Sequence, residues 1–170
     1  MTDAARGATN DRRAPGAPAE LDEIDREILR ILRANARTPN NRLAELAGIA
    51  PSTCVARVKS LVNRGVITGF TANVDPSSVG LGLQALISVT IRAGARNLMM
   101  ELGEEIPQFP EVVQLYFLGG AEDFIIHVAV RDSAAVRDFV LDNLSAHPAV
   151  ASTRTSLVFD HHFSGLSITS

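Results

Sequence analysis

The sequence reads as an α+β protein of two modules, an N-terminal winged helix-turn-helix and a C-terminal ferredoxin-like βαββαβ domain. Three observations predict this. Between residues 22 and 65 apolar side chains recur at helical spacing in three successive stretches, the middle one short and closed by Gly48. From residue 84 the pattern changes to strict alternation, with two further helical stripes among four strands. Charge divides in the same place. The 170 residues sum to −3, yet residues 21–75 balance at +2, residues 76–170 at −5, and residues 36–70 alone at +4. One locally basic segment within an acidic chain argues for two modules with different partners.

Residues 1–20 are rich in Ala, Gly, Pro and Arg without apolar periodicity and read as a solvated, flexible arm, Arg6, Arg12 and Arg13 being its possible accessory DNA contacts. Asp22 is suited to cap a first helix near 22–34, on which Ile24, Ile28, Ile31 and Leu32 share a face. Leu43, Leu46 and Ala47 mark a short second helix near 41–47, and Gly48 supplies the dihedral freedom for a tight exit. Pro51 fits the first position of a third helix, whose expected inward stripe is Val55, Val58, Leu61 and Val62, with Gly65 as its stop. Val66 to Val74 reads as a short strand leading to an Asp75-Pro76 linker; the winged helix-turn-helix is thus expected over 21–75.

The second module is expected over 80–163. Ala85, Ile87, Val89 and Ile91 alternate with Gln84, Ser88, Thr90 and Arg92 in its first strand. Leu98, Leu102 and Ile106 mark a helix ended by Pro107. Val112 to Leu118 and Asp123 to Val130 are paired strands about a Gly119-Gly120-Ala121-Glu122 turn. Val136, Phe139, Val140 and Leu144 form a second helical stripe, capped by Asp132 or Ser133, and Val150 to Phe159 is the last strand. Helices that cover one face of such a sheet leave the other in need of a partner.

Composition narrows the function. Two small modules bury modest cores, so self-association is an expected source of buried surface. The single cysteine makes neither an internal disulfide nor a Cys-based zinc site, and Cys54 reads as a small buried packing residue. No apolar run approaches the ~18 residues of a membrane span, and no signal-peptide core opens the chain, so a cytoplasmic protein without a membrane partner is expected. Of the four histidines, His161 and His162 are adjacent in a strand-like stretch and point apart, while His127 and His147 stand alone, so no metal site is expected. No phosphate-cradling loop or Ser/His/Asp order appears, so neither a catalytic residue nor a cofactor is assigned.

A third helix that enters the major groove needs a small, polar and basic outer face. Ser52, Thr53, Arg57 and Ser60 are placed there, Arg57 as the guanine reader and Ser52 and Thr53 on phosphate or base edges. Arg37, Arg42, Lys59 and Arg64 are expected to neutralise phosphates, making affinity fall with salt. The expected partner is double-stranded promoter or operator DNA. The alternative is a metabolite-sensing regulatory subunit whose helical module docks on a protein. In the second module, a glycine turn exposes N–H groups that hold a carboxylate, and a nearby acid holds an ammonium, the two ends of an amino acid. A Gly-rich hairpin turn equally needs no ligand.

Leu21-Asp22-Glu23-Ile24-Asp25-Arg26-Glu27-Ile28-Leu29, the run Leu43 to Val58, Leu61, Gly65-Val66-Ile67-Thr68-Gly69-Phe70 and Asp75-Pro76 together resemble the leucine-responsive regulatory protein (Lrp/AsnC, feast/famine) family of transcription regulators over about 21–163. The resemblance implies that the third helix reads the major groove. Ala50 stands where members commonly carry a capping Ser or Thr, and Ser52 is expected to cap instead. It also implies that the second module is of the RAM type (regulation of amino-acid metabolism). Gly120 and Asp123 match that module's G-x-x-D turn, and Ser152-Thr153-Arg154-Thr155 its final strand. An amino-acid effector is thereby expected between dimers, near Gly119, Gly120, Glu122, Asp123, Thr153 and Thr155, with Tyr116 and Leu118 as apolar neighbours. A homodimer assembling to tetramer, octamer or higher completes the expectation, its oligomeric state or DNA affinity responding to the effector.

Overall fold

The structure, a computed structural model, describes residues 20–162; the arm arginines Arg6, Arg12 and Arg13 lie outside them. The chain forms two compact units that part between Ala72 and Asn73.

The first unit is built on α1 (Glu23–Ala34), α2 (Asn40–Leu46) and α3 (Pro51–Asn63). Asp22 caps α1, its Oδ1 accepting the Asp25 N–H at 2.8 Å. Ile28, Leu29, Ile31 and Leu32 of α1 close over Leu43 and Ala44 of α2 and Cys54 and Leu61 of α3. Fully burying a Leu- or Ile-sized side chain contributes roughly 1.5–3 kcal/mol, so this small cluster is what holds three short helices together. Gly48 has a φ of 67° and Gly65 one of 71°, left-handed values that a side chain resists, and they set the exits of α2 and α3.

The structure corrects two expectations in this unit. The inward stripe of α3 is Cys54, Val58 and Leu61, while Val55 and Val62 remain 46% and 43% exposed. Hydropathy ranks Val above Cys, but Arg57 is bonded to two carboxylates at the start of α1, and in that phase of the helix Val58 and Leu61 stay inside while Cys54 rather than Val55 joins them. The strand expected over Val66 to Val74 is absent: among the described residues no strand forms between 66 and 74. The Val66 and Ile67 N–H groups both donate to the Leu61 carbonyl, at 2.9 and 3.2 Å, and the rest runs on as irregular chain. A strand needs a partner edge, and the neighbours in this unit are helices. Residues 66–71 instead line an apolar groove of about 440 Å³ along Leu29 and Leu32 of α1.

The second unit begins with a 3₁₀ turn at Pro76–Val79, its N-terminus capped by Asp75. There follow β1 (Leu83–Ile91), α4 (Arg96–Glu105), β2 (Val112–Phe117), β3 (Phe124–Val130), α5 (Ser133–Phe139) and β4 (Val150–Val158). α4 passes into a 3₁₀ turn, Ile106–Gln108, so Pro107 tightens the helix end rather than ending it outright. Asp132 caps α5, and the chain continues through a π-helical turn, Val140–Ser145.

The strands lie in the order β2-β3-β1-β4, all neighbours antiparallel, which is the βαββαβ arrangement the sequence predicts. Ala85, Ile87 and Val89 of β1 and Phe124, Ile126, Val128 and Val130 of β3 meet Leu102, Ile106, Val136, Phe139 and Leu144 from the helices. Both helices therefore cover one face. The other carries Gln84, Leu86, Ser88, Ile125, His127, Tyr116 and Arg154, by the same pairing. Gly103 on α4 makes the helix–sheet contact possible at its tightest point. A Cβ there would lie 2.5 Å from Cζ of Phe117, whose ring packs edge-on against Phe124 at 4.8 Å.

Candidate functional site

On the helical unit, α3 starts at Ala50 without a side-chain cap, so the expected Ser52 cap does not form. Pro51 has no N–H, and the first intrahelical bond is Cys54 N–H to the Ala50 carbonyl at 3.0 Å. The N–H groups of Ser52 and Thr53 are thus left at an exposed, partly positive helix end, beside two exposed hydroxyls. Such an end suits an anion, and the phosphate of a nucleic acid is one. Ser60 and Lys59 are also exposed along α3.

The structure places Arg57 elsewhere than expected. Its Nη1 donates to Asp22 Oδ2 at 2.6 Å and Asp25 Oδ1 at 2.8 Å, with the side chain only 29% exposed. Arg64 backs the same group, 3.7 Å from Asp25 Oδ2, and gives its Nη2 to the Glu20 carbonyl at 2.5 Å. Arg57 is therefore a clamp from α3 to the start of α1, not an outward probe. The Asp22 carboxyl is held below its usual range by the Asp25 backbone N–H and then by Arg57. The hydrogen bonds that Arg57 donates to Asp25 and Asp22 in turn push Arg57 up. Arg42 pairs with Glu45 at 2.7 Å on the exposed face of α2. Among the described residues, the side chains of Arg37 and Lys59 take no ion-pair partner. Sequence reasoning missed Asp22 and Asp25 as partners of Arg57, and Ala56 and Asn63 as exposed positions of α3.

On the sheet unit, the 118–123 turn is closed by Leu118 N–H donating to the Asp123 carbonyl at 2.9 Å. Asp123 is part of the framework, because its N–H donates to the Val89 carbonyl at 2.9 Å and its Oδ2 accepts the Ile91 N–H at 2.7 Å. The carboxylate extends the β1–β3 ladder beyond the last backbone pair, Val89 with Phe124. Gly119 and Gly120 are exposed, and a Cβ built at either meets no atom within 4 Å. Nothing among the described residues requires their smallness on steric grounds. Glu122 is bonded to Arg154 of β4 across the open sheet face. Tyr116, 46% exposed, donates its hydroxyl to Gln114 Oε1 at 2.7 Å.

The structure brings Leu118 to Asp123 together but not the other residues expected to meet an effector. Thr153 and Thr155 oppose Val89 and Ile87, and so lie on β4. Tyr116 lies on β2, three strand spacings from β4, about 14 Å. Thr153 and Thr155 also share the helix-side direction of Val89 and Ile87, while Tyr116 shares that of Ile125 on the open face. A ligand touching all of them cannot sit within one copy of this sheet.

His127 is 6% exposed despite lying on the open face, with Nε2 2.8 Å from Gln84 Oε1 and its ring 5.9 Å from that of His161. His162 pairs with Asp160 at 3.0 Å. Among the described residues no group of three or more His, Cys, Asp or Glu is placed to hold a metal ion. Cys54 is buried, and burial pushes its thiol up, away from the reactive thiolate. No helix among the described residues is long and apolar enough to cross a membrane.

Known proteins share both units. A family model described as Lrp/AsnC ligand binding domain matches residues 84–167, and one described as winged helix-turn-helix DNA-binding matches residues 21–68. The HTH-type transcriptional regulator AldR of Mycobacterium tuberculosis is 53% identical over 85% of this chain and 80% of its own. The transcriptional regulator AzlB of Bacillus subtilis is 36% identical over 81% of this chain and 88% of its own. Among solved structures, the Mycobacterium tuberculosis AldR crystal structure is similar with a TM-score of 0.77 and 47% identity, covering 88% of this chain and 99% of that one. A Neisseria meningitidis transcriptional regulator in complex with L-Met has a TM-score of 0.81 and 34% identity, covering 88% and 97%.

Proposed function

The chain belongs to the Lrp/AsnC family of DNA-binding transcriptional regulators, and on that premise we propose that it couples an amino-acid effector to operator binding. The helical unit, residues 21–75, binds DNA, and residues 80–163 bind effector and assemble copies. The observation that carries the sensing half is the turn at Gly119-Gly120. Its glycines meet nothing among the described residues, beside an Asp123 already committed to the ladder. Space kept open at a turn that exposes backbone N–H groups suits an effector carboxylate. The L-Met complex of the Neisseria regulator gives the ligand class a precedent in a similar protein.

The spread of Tyr116, Leu118, Glu122, Thr153 and Thr155 over different strands supports a site completed by another copy, with the sheet face left uncovered by the helices as the first place to pair. Dimers then place two α3 helices on half-sites about one helical turn apart, ~10 bp, and dimers assemble further to tetramers or octamers. Arg37, Arg42, Ser52, Thr53, Lys59, Ser60 and Arg64 supply DNA contacts, while Arg57 holds α3 in place. The effector acts by favouring one assembly over another, a coupling of ~1–3 kcal/mol in typical cases. The setting is the cytoplasm.

Two measurements test the reading. Gel shift on the DNA upstream of the protein's own gene is expected to show retardation that weakens as salt rises. Thermal shift with each of the twenty amino acids is expected to raise the melting temperature for at least one, by binding to the folded form. Retardation without any amino-acid shift in melting or DNA affinity would leave a DNA-binding protein and refute the sensor. A protein partner captured with no DNA retardation would point to a docking subunit instead.

A further inference from the structure

The orientation of α3 fixes more than which residue clamps it. Cys54, Arg57, Val58 and Leu61 face α1 and α2, so the opposite face is centred on Ser52, Ala56, Lys59 and Asn63, at steps of four, three and four residues. All four are exposed. Thr53 and Ser60 flank this row on one side, and the exposed Val55 and Val62 on the other. The guanidinium of Arg57, which by residue type is the best guanine reader of the helix, is withdrawn onto two carboxylates. Of the four central residues only Lys59 is charged, and it is the one lysine of the chain against fifteen arginines.

We propose that Lys59 is the principal specificity-determining residue of operator recognition, donating to guanine O6 and N7, with Ala56 against a thymine methyl on a neighbouring base pair. This rests on the DNA-binding role of α3. Three observations support it. The ammonium of Lys59 has no ion-pair partner among the described residues, so DNA need not compete for it. Ala56 presents a methyl with no polar group to desolvate, the contact that reads thymine in the major groove. Their three-residue separation is a rise of about 4.5 Å along the helix, between one and two ~3.4 Å steps of the duplex. Ser52 and Thr53, at the uncapped helix start, are left for phosphate, which sets register rather than sequence. Arg57 is a positioning residue.

The experiment is selection of bound duplexes by the full chain from a pool randomised over the central base pairs, at one fixed salt concentration. Wild type is expected to enrich guanine at one position in each half-site. Lys59→Ala is expected to lose discrimination at that position by roughly 5- to 150-fold and keep the others. Lys59→Arg is expected to restore guanine there. Arg57→Ala, to the extent it folds, is expected to enrich the same bases as wild type. Should Lys59→Ala enrich unchanged sequences with uniformly weaker binding and a flatter salt slope, Lys59 is a phosphate contact and the proposal is overturned. Loss of the pattern in a folded Arg57→Ala protein, with Lys59→Ala unaffected, would overturn it too. A wild type that binds and enriches nothing refutes sequence recognition as such; one that binds no duplex at all refutes the DNA reading beneath it.

Discussion

Replacing Asp25 with Asn tests whether the clamp orients α3. Asp25 is 6% exposed and receives Arg57 Nη1 at 2.8 Å, with Arg64 at 3.7 Å on its other oxygen. Asn keeps the shape, removes the charge and offers one acceptor where two guanidiniums converge. Removing one partner of a fully buried ion pair costs about 3–5 kcal/mol. Here the loss is smaller, because both arginines reach solvent and Arg57 keeps its 2.6 Å bond to the more exposed Asp22. A cost of about 2 kcal/mol is expected for Asp25→Asn, below that fully buried range. At roughly 4–8 °C per kcal/mol for a domain of this size, the helical unit should melt about 8–16 °C lower, its transition followed by calorimetry. A double-mutant cycle with Arg57→Leu locates the cause: the second substitution should be much milder in a chain already carrying Asp25→Asn than in wild type. An Asp25→Asn protein that melts at the wild-type temperature, or a cycle without coupling, would refute the clamp.

Other parts of the molecule give three more expected outcomes. Gly103→Ala places a methyl 2.5 Å from Phe117 Cζ, and the ring that must move packs on Phe124. A cost of roughly 1–3 kcal/mol in the sheet unit is expected in urea titration, and Phe117→Leu in the same chain should relieve part of it. His127 is held below its ordinary value of 6.5, first by burial and then by His161. The unfolded chain therefore binds the proton first, so stability should fall as pH drops below about 6.5, and His127→Gln should flatten that stretch of the stability curve. Asp123→Ala removes the acceptor of the Ile91 N–H and should cost about 1–3 kcal/mol whether or not an amino acid is present; thermal melting without effector checks this, and an unchanged melt would deny the ladder role.

The order of elements is legible in the sequence because each rests on local pattern: caps at Asp22 and Asp132, left-handed glycines at 48 and 65, and alternation in β1 and β3. What the sequence does not show depends on contacts distant along the chain. The phase of α3 goes with carboxylates 32 and 35 residues away from Arg57, and a shift of less than one residue keeps Val58 and Leu61 inside while Val55 and Val62 face out. The strand expected over 66–74 fails for the opposite reason. Val66 to Val74 has strand-like composition, but a strand exists only where a partner edge does, and composition carries no information about that edge. The turn at 118–123 lies where its glycines predict it, yet the dual use of Asp123, N–H to Val89 and carboxylate to Ile91, has no local signature.

That dual use bears on how motifs of this kind persist. An aspartate that closes the end of a sheet ladder serves the fold whether or not the proposed sensing operates, so a descendant that responded to no metabolite would be expected to carry it still. The glycines beside it, which no neighbouring atom constrains, have no such protection and would be expected to drift if the proposed sensing were lost. Within this turn, the residues with least structural employment would then be the better record of the proposed sensing role.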